Sequence, residues 1–116
     1  MDLSGDGAAL GPEWQTAGNN VCGVLRGWGD VSRAAARFVR AGWWTRSSDW
    51  ESYEVGTEWC AVELTPVGGS EVLLNGVVDP GRLDDLVVLL SGPGVGFGVE
   101  LYDGRGELCR EVEGGR

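Results

Sequence analysis

The side chains that usually carry catalysis at neutral pH are largely missing from this chain. It contains no His and no Lys, so the common general base and the Schiff-base nucleophile are absent. A Cys nucleophile would lack its usual His partner. Asp84 and Asp85 are adjacent on a predicted helix and diverge by about 100°, so they cannot act as a carboxylate pair. We therefore expect no catalytic residue and predict that the protein is not an enzyme.

Metal and cofactor sites are not indicated either. The three Cys residues are widely spaced, with no CxxC pair and no His to complete a zinc site, and we expect them to be free thiols. A glycine run at Gly92, Gly94, Gly96 and Gly98 resembles a phosphate-binding loop. Such a loop must follow a strand and open a helix, whereas this run follows a predicted helix and enters a strand. We predict no cofactor, and a strand approached closely by other backbone.

The charge of the chain bears on its partners. The 116 residues are enough for one domain with one hydrophobic core, and the net charge is −9. A field of this sign repels nucleic acid and anionic membranes and attracts basic proteins. The alternative is that the charge serves only solubility. We predict a basic protein partner, with no nucleic-acid and no membrane binding.

Composition also suggests a source and a compartment. Glycine is abundant while Lys and Ile are absent, which indicates a gene of high G+C content and a bacterial source. No window approaches the roughly 18 uninterrupted apolar residues of a membrane helix. The N-terminus lacks the basic start and apolar run of a secretory signal. We expect a cytoplasmic protein.

The periodicity of apolar residues predicts the helices and strands that would position a functional site. Residues 1–29 are rich in Gly and Asn and are predicted to be irregular or flexible, with a possible short strand at 21–25. Residues 30–116 are predicted to form a single domain, with helices at about 31–41 and 80–90. Strands are expected at about 51–55, 58–64, 71–78, 95–102 and 107–113. The order α-β-β-β-α-β-β predicts a two-layer α+β fold, with a mainly antiparallel sheet of about five strands and both helices on one face.

Strand alternation then predicts a polar sheet face. If Val55, Val62, Phe97 and Val99 point toward the helices, the opposite face collects acidic residues and two amphipathic rings. Aromatic rings supply contact energy in interfaces, and carboxylates steer a basic partner. The alternative is an ordinary solvated face, with the Trp folded under a loop. The candidate protein-binding residues are Glu54, Trp59, Glu63, Glu100, Tyr102, Glu107 and Glu111, and Glu113 is expected on the same face.

A second candidate surface is an aromatic patch at Trp43, Trp44, Trp50 and Tyr53. These rings could join two copies of the chain, so a structural or accessory subunit acting as a homodimer is one alternative function. They could also line a pocket, so a small-molecule-binding domain is another.

The aromatic segment also carries a family resemblance. Ala41-Gly42-Trp43-Trp44, followed by Trp50-Glu51-Ser52-Tyr53-Glu54-Val55, resembles segments of small acidic bacterial immunity proteins. The resemblance extends over about residues 30–113 and contains no diagnostic motif, so it assigns no functional residue. It implies an inhibitor that neutralises a toxin, often a basic nuclease, by covering it with an acidic surface.

Overall fold

A computed structural model describes residues 9–15, 18–49, 51–92 and 94–115. These residues contain three α-helices, one short 3-10 helix and seven strands. The helices are α1 (Pro12–Gln15), α2 (Val31–Arg40) and α3 (Leu83–Leu90), and the 3-10 helix is Pro80–Arg82. The strands are β1 (Val21–Arg26), β2 (Trp44–Ser47), β3 (Tyr53–Thr57), β4 (Cys60–Gly68), β5 (Glu71–Val78), β6 (Gly96–Tyr102) and β7 (Leu108–Gly115).

All seven strands belong to one antiparallel sheet in the order β2-β3-β4-β5-β1-β6-β7. The N-terminal strand β1 therefore lies inside the sheet, between two strands that come much later in the chain. Val21 is opposite Gly76 of β5 on one side and Leu101 of β6 on the other. The connection from β5 to β6 carries α3 and crosses over β1.

The predicted fold class is wrong. We predicted a two-layer fold of about five strands in the order α-β-β-β-α-β-β. The structure instead has a sheet of seven strands, and its three helices are short. The error has two sources. The four residues of β2 are too few for alternation to be recognised, and Gly23 interrupts the apolar pattern of β1. Both strands are held by pairing with distant segments, which local periodicity does not report.

The expected boundary at residue 29 also does not separate an irregular segment from a folded one. Both α1 and β1 precede it, and the side chain of Asn20 ties the start of β1 to the end of β5. Its Nδ2 donates to Val78 O at 2.8 Å, and its Oδ1 accepts from Val78 N at 2.9 Å. The described residues from 18 onward are thus part of the sheet domain.

One face of the sheet and the buried sides of α2 and α3 share a single hydrophobic core. Phe38 of α2, Phe97 of β6 and Leu86 of α3 are among its fully buried side chains. The Asp30 side chain accepts a hydrogen bond from Arg33 N at 2.8 Å and so begins α2. None of the helices in the described ranges is both long and apolar enough to cross a membrane. The opposite sheet face, called the outer face below, remains for other contacts.

Candidate functional site

Cross-strand registers align one outer-face residue from every strand in a single row. Paired residues of antiparallel strands point to the same face, so the row is continuous across the sheet. Four of the predicted glutamates share it. From β2 to β7 this outer row consists of Arg46, Glu54, Glu63, Asn75, Cys22, Glu100 and Glu111.

The glutamates on β3 and β4 have partners within the chain. Arg46 Nη2 lies 2.7 Å from Glu54 Oε1, and Ser48 Oγ donates to Glu63 Oε2 at 2.7 Å. These contacts offset the repulsion between two carboxylates that face each other in the register. Leu10 and Trp14 lie beside this half of the row, around a concavity of about 370 Å³. This half is therefore partly satisfied by its own chain.

The glutamates on β6 and β7 are different. Glu100 and Glu111 are directly opposite each other, and neither takes part in an ion pair of the described residues. Glu100 Oε1 accepts from Tyr102 Oη at 2.7 Å and from Cys22 Sγ at 3.6 Å. Both donors are neutral. Arg26 lines the same part of the outer face but forms its ion pair with Glu71, at 3.9 Å, so no cation of the described residues contacts either carboxylate to offset their repulsion. Like charges placed directly opposite destabilise a strand pair.

A groove of about 500 Å³ opens beside this pair of carboxylates. Its floor is apolar because Leu73, Val24 and Gly98 follow one another across β5, β1 and β6, and Gly98 has no side chain to fill the space. A Cβ built at Gly98 would meet nothing closer than Glu113 Cγ at 3.6 Å, so the space above it is empty of backbone. We call this space the outer groove. Its charged lining consists of Glu100, Glu111, Glu113 and Arg26.

Hydrogen bonding and burial raise the pKa values of Tyr102 and of two thiols. The hydrogen bond to Glu100, followed by burial, raises the pKa of Tyr102 to about 12. Burial, with the same carboxylate as hydrogen-bond acceptor, raises the pKa of the Cys22 thiol. Burial alone raises the pKa of the Cys60 thiol. Tyr102 and Cys22 therefore stay protonated at neutral pH and act as hydrogen-bond donors to Glu100 Oε1.

We expect Glu100→Gln to lower the pKa of Tyr102 from about 12 toward the ordinary tyrosine value. Because the folded state favours the neutral phenol, this contribution to stability is present below the ordinary pKa of about 10 and is lost as the pH rises through about 12. Phenolate absorbance in a Tyr53→Phe background measures it, since the chain has 2 Tyr residues. Glu111→Gln is the control and should shift the pKa much less. Equal shifts in the two variants would refute Glu100 as the main cause.

Two residues of the predicted protein-binding face lie elsewhere. Trp59 is in the turn between β3 and β4, where strand alternation no longer applies, and it packs against the core. Its ring centroid is 5.3 Å from that of Trp43, and the guanidinium of Arg82 lies 4.7 Å above it. Glu107 is in the turn before β7 begins. Placing either residue on the sheet face was therefore incorrect.

The predicted aromatic patch does not form one surface among its described members. Trp43 is buried, with its ring centroid 5.0 Å from that of Phe38. Trp44 is half-buried on the outer face, over Gly56. Tyr53 packs against the core, and Trp50 lies outside the described residues. Neighbouring residues of an extended segment point to opposite sides, which separates the first two rings.

Sequence reasoning missed the residues that β1 and β5 contribute to the outer groove. Cys22 and Val24 alternate with the buried Val21 and Leu25, which is the pattern of a strand with one buried face. That signal was present in the sequence, but it covers only six residues and includes a glycine. Leu73 was placed in a strand without being assigned to a face.

Comparisons of the chain with protein-family models, with curated proteins and with solved structures find no significant match.

Proposed function

We propose that the protein is a binding module whose outer face, around the outer groove, takes a basic partner protein. The observation that carries this proposal is the pair Glu100–Glu111, two directly opposed carboxylates without an ion-pair partner in the described part of the chain. A cationic group from a partner would convert this repulsion into attraction. The pair would then contribute more to the complex than to the free protein.

The apolar floor of the outer groove supports the same proposal. Arg and Lys carry aliphatic stems below their charged heads, and such stems favour apolar surface. The groove places Val24 and Leu73 below carboxylates, which is the arrangement that a basic side chain can use along its whole length. The net charge of −9 would add long-range attraction and speed the encounter.

We propose further that the module acts in the cytoplasm as an inhibitor of the immunity or antitoxin type. The resemblance of the aromatic segment to immunity proteins and the acidic surface support this role. A homodimer joined through the tryptophans, or a small-molecule pocket lined by them, has less support because Trp43 is buried in the core.

The experiment captures partners from a lysate of the source organism and measures kinetics with the protein that is captured. Wild type should retain a basic protein and inhibit its activity. Glu100→Gln combined with Glu111→Gln should slow association about tenfold at low salt, with a smaller effect at high salt. Gly98→Val should place a side chain on the floor of the groove and raise the dissociation rate about tenfold, because it takes up space needed for a buried contact.

Glu51→Gln combined with Glu58→Gln is the matched control, since it removes the same number of charges from the exposed turns on either side of β3. It should behave as wild type apart from a small, general effect of charge. An acidic or neutral partner, or a basic partner whose kinetics respond equally to all three variants, would refute the proposed face. Tight binding of a small molecule that Gly98→Val abolishes would favour a small-molecule site instead.

A further inference from the structure

The two edges of the sheet differ in length and in chemistry. The edge strand β2 has four residues, and its outer-face side chains include Trp44 and Arg46, with the guanidinium 5.4 Å from the ring centroid. The edge strand β7 has eight residues, most of them exposed, and in the described chain it pairs only with β6. Its outer backbone edge therefore presents a long series of N–H and C=O groups. Edges of this kind accept additional strands.

Glutamates on β7 discriminate between the strands that could be added. Glu111 and Glu113 lie on the outer face, as partners of Glu100 and Gly98 in the register, and have no ion pair among the described residues. A strand added to this edge would extend the outer row by one residue, placed opposite Glu111. The residue two positions away in the added strand would lie opposite Glu113. Cross-strand pairs of opposite charge are favourable, and pairs of like charge are not.

A second β7 strand, from another copy of the chain, does not fit this edge. Two β7 strands from different copies can pair antiparallel only in registers that keep each side chain on its own face. In the registers that pair most of the strand, Glu111 then lies opposite either Glu111 or Glu113 of the other copy. A register centred on Arg110 instead places two arginines opposite each other. Every such register therefore sets like charges together and opposes self-association at neutral pH.

We propose that the β7 edge binds an extended segment of a basic partner by strand addition, with Arg or Lys at two alternate positions facing Glu111 and Glu113. This inference rests on the proposed binding of a basic protein and adds where and in what conformation the partner binds. Backbone hydrogen bonds to β7 supply affinity, and the two glutamates select the sequence. The added strand also borders the outer groove, so its neighbours along the partner chain can reach Glu100.

The test uses a synthetic peptide of alternating Thr and Arg, matched to the eight residues of β7, and two derivatives with N-methyl groups. One derivative is methylated on the Thr amides and the other on the Arg amides. In a strand these two sets of amides point to opposite edges. An added strand donates only one of these two sets of amides to β7. The derivative that is methylated on that set loses those hydrogen bonds and should bind at least about tenfold more weakly than the other. Backbone NMR of the full-length protein should place the largest shifts on β7.

Charge variants complete the test. Glu111→Gln combined with Glu113→Gln should weaken binding of the unmethylated peptide about fivefold. Glu51→Gln, in the turn before β3, should change it little, and a Thr-Glu peptide should not bind. Equal binding of both methylated peptides, with shifts in the outer groove, would overturn strand addition but leave the proposed function standing. No binding of any basic peptide would overturn the inference as well, since the glutamates would then only protect the edge. Failure of the proposed function would be seen in a different experiment, the capture from lysate, if the captured partner were acidic or neutral.

Discussion

Gly23→Ala should lower the free energy of unfolding by about 3 kcal/mol, because the middle of β1 has no room for a side chain. A Cβ at this position would overlap the carbonyl oxygen of Gly98 and would lie 2.8 Å from Val99 Cγ1. The first of these is backbone of the neighbouring strand and cannot rotate away. The added methyl group would therefore have to separate β1 from β6.

Gly98→Ala is the matched control, since Gly98 is in the adjacent strand but faces the outer groove, where only side-chain atoms of Glu113 and Arg26 lie near the new Cβ. The nearest atom to its new Cβ would be 3.6 Å away, which is an ordinary contact. Loss of a glycine from a strand, where the new residue fits, leaves stability unchanged or raises it by about 0.5 kcal/mol. Urea denaturation of the three proteins measures the difference. Similar midpoints for Gly23→Ala and wild type would show that β1 is not held as closely as the register requires.

Trp28→Ala should cost about 3–5 kcal/mol of unfolding free energy, the usual loss for a large buried aromatic side chain. Trp28 follows β1 and is buried between the sheet and α2. Its Nε1 donates to Gly96 O at 3.1 Å, and its ring stacks on Phe38 with centroids 6.4 Å apart. The guanidinium of Arg37 lies 4.4 Å from the ring centroid on the side of α2.

Trp28→Phe separates the two parts of this contribution. It retains a buried ring but removes the donor to Gly96 O, and an unsatisfied carbonyl costs about 1–3 kcal/mol. We therefore expect the order wild type, Trp28→Phe, Trp28→Ala in decreasing stability, measured by urea denaturation monitored by circular dichroism. An equal loss in both variants would assign the whole effect to the hydrogen bond. No loss in Trp28→Ala would contradict the burial of the ring.

The sequence predicts those helices and strands that are marked by a cap or by the periodicity of neighbouring residues. Asp30 begins α2, and the alternation through Phe97, Val99 and Leu101 identifies the buried face of β6. Topology is not local, because β1 is defined by partners on β5 and β6 that share no motif with it. Local periodicity therefore does not reveal that β1, in the segment predicted to be irregular or flexible, is an inner strand of the sheet.

The candidate site is likewise predicted from the sequence only in part. Glu54, Glu63, Glu100 and Glu111 were placed on one face by strand parity, but parity alone does not report that registers align them in a single row. It also does not report which of them have cations nearby. Trp59 was misplaced because the alternation was continued through a turn, where the side-chain direction is set by the turn and by packing on Trp43.

The position of β1 also governs the order in which the protein can fold during synthesis. Val21 leaves the ribosome well before its two partners, Gly76 and Leu101, which follow much later along the chain. Until β6 has emerged, β2 to β5 can form a meander, while β1 lacks one neighbour and exposes an apolar edge. Pairings of such large sequence separation slow folding and prolong the exposure of unpaired strands. A nascent chain that is interrupted before residue 96 would therefore release an incomplete sheet whose second free edge is β1, an inner strand of the complete sheet.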